Sequence, residues 1–83
     1  MSSPAMDANS TDLFETHRPR LESLAYHMLG RRAPARDLVQ DAFLRWHDLS
    51  EEEIAAIEDP KAYLETIVSR LAIDRLRSAR SRR

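Results

Sequence analysis

Eighty-three residues amount to one small domain, near the lower limit at which a chain supports its own core. Hydrophobic residues make up 42% of it, with no apolar run approaching the roughly 20 residues of a membrane span. No cysteine is present, which removes disulfides, thiolate catalysis and cysteine-based zinc sites, and the formal net charge is −1.

Residues 1–10, "MSSPAMDANS", are small and polar and read as a disordered segment. They lack the basic region and apolar run of a secretory signal, which points to a cytoplasmic protein. A first helix is predicted from Ser10–Asp12, where the capping pattern is only partial. Leu13, Phe14, Leu21, Leu24, Ala25, Met28 and Leu29 follow at spacings that fit one helical face. Pro19 either kinks this helix or moves its effective start to near Arg18, and Gly30 is a natural stop. Pro34 suits the first turn of a second helix carrying Leu38, Val39, Ala42, Phe43 and Trp46 and ending around Asp48–Ser50. Ser50 and Glu53 have capping-box spacing, which allows a turn or two with Ile54 and Ile57 tucked inward. Asp59–Pro60 marks a last helix, striped by Tyr63, Leu64, Ile67, Val68, Leu71, Ala72 and Leu76. The fold class is all-α, with three to four helices packed as an orthogonal or bundle-like unit over residues 11–78. Residues 79–83 read as the basic start of a linker.

Little in the chain announces catalysis. His17, His27 and His47 are too scattered for a metal motif, and Asp37 and Asp41 share a helical face without a third ligand. No nucleophile–base pair and no glycine-rich phosphate loop is present, so neither an enzyme nor a cofactor is expected.

The charge distribution says more. Residues 61–83 hold seven basic and two acidic side chains, a balance of +5 that leaves −6 for the first sixty. Such a chain can offer one end to a polyanion and another surface to a protein, although a salt-bridged helical surface with a basic tail has the same composition. At 100° per residue, Thr66, Arg70, Arg77 and Arg80 fall on the side of the last helix away from its apolar stripe. Arg75 points elsewhere, toward the stripe edge. Asp74 has the spacing to pair with Arg70 or Arg77 and steady a guanidinium for phosphate contact. Helix propensity and the helix dipole also favour arginines near a C-terminus, and these or non-specific phosphate attraction best explain Arg80, Arg82 and Arg83, which leaves the stronger claim with Arg70 and Arg77. Tyr63 and Trp46 have the chemistry to stack on bases, but each also sits on an apolar stripe.

Two segments, "RRAPARDLVQDAFLRWHDL" and "EDPKAYLETIVSRLAIDRLRSARSRR", resemble the region 2 domain of bacterial sigma factors of the extracytoplasmic-function type. "LFETHRPRLESLAYHMLG" resembles that domain's first helix, so the resemblance covers about residues 11–83. It implies docking on the clamp helices of the RNA polymerase β′ subunit and recognition of the promoter −10 element, mainly as the single non-template strand. The polymerase surface would comprise Asp37, Leu38, Gln40, Asp41, Phe43 and Leu44, with Leu38 shared between core and interface. The connection at 49–59 would capture a flipped base, and Tyr63, Thr66, Arg70, Asp74, Arg77 and Arg80 would line the DNA.

The chain departs from the family pattern in places. Arg36 stands where an acidic residue is usual, Arg70 where asparagine is common, and Glu51–Glu52–Glu53 would repel a DNA backbone unless turned away. Family members continue into a second helical domain that reads the −35 element. Arg83 falls about where the linker to it would begin, which leaves an excised domain and a natural truncation both open. An anti-sigma factor, or further domains of a longer parent chain, would be additional partners; a membrane would not. The alternative is a sigma-like interaction domain that binds polymerase or a regulator without productive promoter binding. A plain helical DNA binder has only the C-terminal charge in its favour.

Overall fold

A computed structural model describes the backbone of residues 2–81 and the side-chain environment of residues 10–80. Arg82 and Arg83, read above as part of the basic start of a linker, lie outside the described residues. Among those described the chain forms four helices and no strand: α1 (Ser2–Leu29), α2 (Arg32–His47), α3 (Glu51–Ala55) and α4 (Pro60–Ser81).

α1 is longer than its capping pattern predicts. Its helical backbone reaches back to Ser2, over the segment read as disordered. Once the face carrying Phe14 is docked, each residue added toward the N-terminus requires only helix propagation, without a new nucleus. Nor does Pro19 end or restart the helix, which runs through it. Proline deprives the Glu15 carbonyl of its N–H partner, but both residues are exposed and water can replace the missing donor. Gly30 closes α1 as expected. Its φ of 76° lies in the left-handed region, and its N–H donates to the Tyr26 carbonyl at 2.6 Å.

The two helix starts read from local patterns are built as expected. At α3 the Ser50 hydroxyl accepts from the Glu53 N–H at 3.1 Å, and Glu53 Oε1 accepts from the Ser50 N–H at 2.9 Å. This is a complete capping box. At α4 the Ala62 N–H donates to Asp59 Oδ1 at 3.1 Å, with Pro60 in the first turn where no donor is needed.

The core lies where the three long helices meet. Phe14, Leu21 and Ala25 enter from α1, Ala35, Leu38, Val39, Ala42 and Trp46 from α2, and Leu64, Val68 and Ala72 from α4. The alanines let the backbones approach, while Trp46 and Phe14 are the largest side chains in the core. Ile54 and Ile57 close the core from the connection around α3. Tyr63 and Leu76, expected on the α4 stripe, are 36% and 43% exposed and stand at its margins.

Each pair of long helices also carries one polar side-chain tie among the described residues. Trp46 Nε1 donates to the Ser10 carbonyl at 2.9 Å between α2 and α1, and Arg20 Nε donates to Glu65 Oε2 at 2.6 Å between α1 and α4. Arg75 Nη2 donates to Asp41 Oδ2 between α4 and α2. Because Trp46 meets Tyr63 while Asp41 meets Arg75, α2 and α4 run in opposite directions. Arg75 thus turns inward, seven residues on from Val68 and in line with the buried stripe, not at its edge.

Candidate functional site

The outer face of α2 follows from its buried one. With Leu38, Val39, Ala42 and Trp46 in the core, Asp37, Gln40, Asp41 and Leu44 at spacings of three and four fall on the opposite side. Asp37 and Gln40 are exposed, and Leu44 between them is 53% exposed, a large apolar side chain framed by polar ones. Asp41 is half-buried, since its carboxylate reaches across to Arg75. Two other residues expected on this surface point inward. Leu38 is fully buried, so its side chain belongs to the core. Phe43 packs edge-on against Phe14 with ring centroids 5.1 Å apart, and His47 stacks on it at 5.9 Å.

Beside that aromatic pair lies an ionic cluster. Arg18 sits 5.2 Å over the Phe14 ring and 5.8 Å from that of Phe43. Both oxygens of Glu15 accept from it at 2.9 Å, and Glu22 lies 3.8 Å away. The hydrogen bonds from Arg18 hold the Glu15 carboxyl below its usual range, against a small desolvation effect, and those bonds raise Arg18 in turn.

α4 presents the second candidate face. Tyr63, Thr66, Arg70, Asp74, Arg77 and Arg80 are all exposed, on the side away from Leu64, Val68 and Ala72. The expected pairing of Asp74 with Arg70 or Arg77 is absent: among the described residues Asp74 makes no ion pair. Its carboxylate and the two guanidiniums stand apart, open to solvent or ligand. The Thr66 hydroxyl donates to the Ala62 carbonyl at 2.9 Å, which fixes its rotamer and leaves its lone pairs outward. The Tyr63 ring lies 6.2 Å from Trp46. Trp46 itself is buried, so of the two aromatic candidates only Tyr63 remains available for stacking.

Between the two faces runs an open groove of about 470 Å³, floored by Leu49, Ile67 and Leu71 and rimmed by Tyr63, Arg70, Asp74 and, from α2, Arg45. Arg45 was not marked by the sequence pattern, because only the antiparallel seating of α2 on α4 brings it there. Of the three consecutive glutamates in the neighbouring connection, all are exposed and Glu53 is engaged in its capping box. No cluster of three or more histidine and carboxylate side chains with metal-binding geometry occurs among the described residues.

Comparison with known proteins places this architecture. The family model for sigma-70 region 2 matches residues 13–82. Over 70 residues, 84% of the chain, the sequence is 49% identical to the ECF RNA polymerase sigma factor SigJ of Mycobacterium tuberculosis (strain H37Rv). Over a stretch of the same length it is 37% identical to the probable ECF RNA polymerase sigma factor SigI of that species. The aligned stretch covers 21% of the first relative and 23% of the second, so the chain spans about a fifth of the length of these curated relatives. No solved structure gives a significant match. The chain belongs to the sigma-70 region 2 family.

Proposed function

We propose that this domain serves transcription initiation by docking on the β′ clamp helices of RNA polymerase and holding the promoter −10 element as single non-template strand. The docking surface is the outer face of α2, with Asp37, Gln40 and Leu44 at its centre and Asp41 at its edge. Leu38 and Phe43 support that face from within. The strand lies along α4, with Tyr63 for stacking, Arg70, Arg77 and Arg80 for phosphates, and Thr66 and Asp74 as acceptors. The connection at 49–59 receives an unstacked base. On this reading the domain works with polymerase and carries no catalytic step of its own, and its membership of the sigma-70 region 2 family supports the role in initiation.

The supporting observation is the segregation of the two surfaces. An acidic face centred on an exposed leucine lies on α2, and a row of arginines with no ion pair among the described residues lies with one tyrosine on the outer side of α4. Apolar residues framed by polar ones suit protein contact, whereas cations at fixed helical spacing beside an aromatic ring suit a single strand. A second reading, docking without productive promoter binding, draws on the exposed Glu51 and Glu52 beside the groove, which oppose a phosphate backbone. An anti-sigma factor or additional domains would share these surfaces.

The test is retention of a −10 non-template oligonucleotide by the chain, core polymerase, and their mixture. Binding confined to the mixture and lost on Arg77→Glu supports the proposal. Polymerase binding without any effect on the oligonucleotide supports the second reading. Strong duplex binding without polymerase refutes both.

A further inference from the structure

The last two turns of α4 project past the core. Ala72 is the last buried residue on the helix, and from Ile73 to Arg80 every side chain is exposed except Arg75. Arg75 alone is half-buried, because its guanidinium lies against the Asp41 carboxylate of α2. Beyond Ala72 it is the one polar tie from α4 to the other helices among the described residues. Those same turns carry Arg77 and Arg80, while Ile73, Leu76 and Ala79 line an open, unfilled groove beside them.

We infer that Arg75 is a positioning residue for promoter contact: through Asp41 it holds the projecting end of α4, and with it Arg77 and Arg80, at a fixed angle to α2. The inference rests on the strand-binding role proposed for α4. A helix end without buried side chains frays readily, and a guanidinium on a swinging end contacts its phosphate in only a fraction of orientations. A tie three residues past the last buried residue restrains the projecting turns near their base. Arg75 does not itself face the strand. Its helical angle places it on the α2 side, roughly opposite the arc of Thr66, Arg70 and Arg77. Its partner Asp41 sits at the edge of the face proposed to dock on polymerase. One carboxylate therefore borders the docking surface and holds the helix that carries the other, so the seating of the DNA helix is referred to the helix that meets polymerase.

Two measurements test this. In the first, oligonucleotide affinity of the polymerase complex is measured over a range of salt for wild type, Arg75→Gln, Arg75→Lys and Arg77→Gln. Arg75→Gln is expected to weaken binding about two- to fivefold, the range of a half-exposed ion pair, with the salt dependence unchanged. Arg77→Gln should lower the slope of log affinity against log salt by about 0.7, as for one lost single-strand phosphate contact. Arg75→Lys should recover most of the affinity. A reduced slope in Arg75→Gln would make it a direct phosphate contact and overturn the assignment, as would unchanged affinity. In the second, amide hydrogen exchange is followed on the 83-residue chain alone. Protection at residues 76–80 should fall in Arg75→Gln and return in the exchanged pair Asp41→Arg with Arg75→Asp, while protection at Leu64 and Val68 stays high. Equal exchange in all three chains overturns the inference. Should wild type in complex retain no oligonucleotide, the proposed function fails, and the exchange measurement still decides whether the tie holds the helix end.

Discussion

The indole of Trp46 donates to the carbonyl of Ser10 at 2.9 Å, joining the end of α2 to a turn of α1 that lies 36 positions earlier. The ring is buried, so this is a hydrogen bond that water does not readily replace. It anchors α1 at a point N-terminal to Phe14, the first buried residue of that helix among the described residues.

Replacing Trp46 with phenylalanine therefore removes a polar anchor and leaves a gap in the core. The expected loss is about 1–3 kcal/mol of unfolding free energy. Urea denaturation followed by circular dichroism measures it, and amide exchange around Ser10 should rise more than exchange in α4.

Leu38 and Leu44 sit on one helix with opposite exposures, and truncation should separate them. Leu38→Ala is expected to cost about 2–5 kcal/mol of stability, as a cavity in the core. Leu44→Ala should change stability by no more than about 0.5 kcal/mol, yet weaken polymerase binding. Thermal melts and a polymerase pull-down on both variants check the pair.

The two helix caps should be separable as well. Ser50→Ala and Asp59→Ala each remove an acceptor for an N-terminal N–H, at an expected cost of about 1 kcal/mol. They cap different helices and share no partner, so the double variant should show close to the sum in a denaturation series.

Glu15 sets an acid dependence. Its carboxyl binds its proton at lower pH in the fold than in the unfolded chain, because Arg18 hydrogen-bonds the charged form. The resulting stabilisation is present above the ordinary glutamate range and is lost as pH falls through the folded value. Glu15→Gln should therefore melt slightly below wild type at neutral pH, and the two should converge once the wild-type Glu15 carboxyl is protonated. The effect is small, since the pair is open to solvent.

Local chemistry was legible in the sequence wherever its partners lie within one helical turn. Ser50 with Glu53, Asp59 with Pro60, and Gly30 are of this kind, as is the apolar periodicity that places Leu64, Val68 and Ala72 inward. Leu38 was legible as apolar, but its division between core and surface depended on how α2 rotates against its neighbours. The ion pairs show the same limit. Spacing allowed Asp74 to meet Arg70 or Arg77, yet neither pair forms, whereas Asp41 and Arg75, 34 positions apart, do meet. Arg45 entered the groove for the same reason: interhelical seating has no local signature. The helical start at Ser2 was missed because capping residues mark where a helix can begin, while docking of Phe14 supplies a nucleus from which it extends.

Gly30 and Arg31 alone join α1 to α2, and no side-chain atom stands within 4 Å of where a Gly30 Cβ would lie. A joint this short has a consequence in time. Loop closure there carries little entropic cost, so the α1–α2 hairpin is expected to close as soon as both helices have left the ribosome, before α4 is made. Phe14 can find Phe43, and Trp46 can find Ser10, while the arginine-bearing helix is still absent. The surface proposed for polymerase would then take shape first, and the surface proposed for DNA would be laid onto it. Kinetic φ-values near one at the Phe14–Phe43 contact and near zero at Val68 would establish that order.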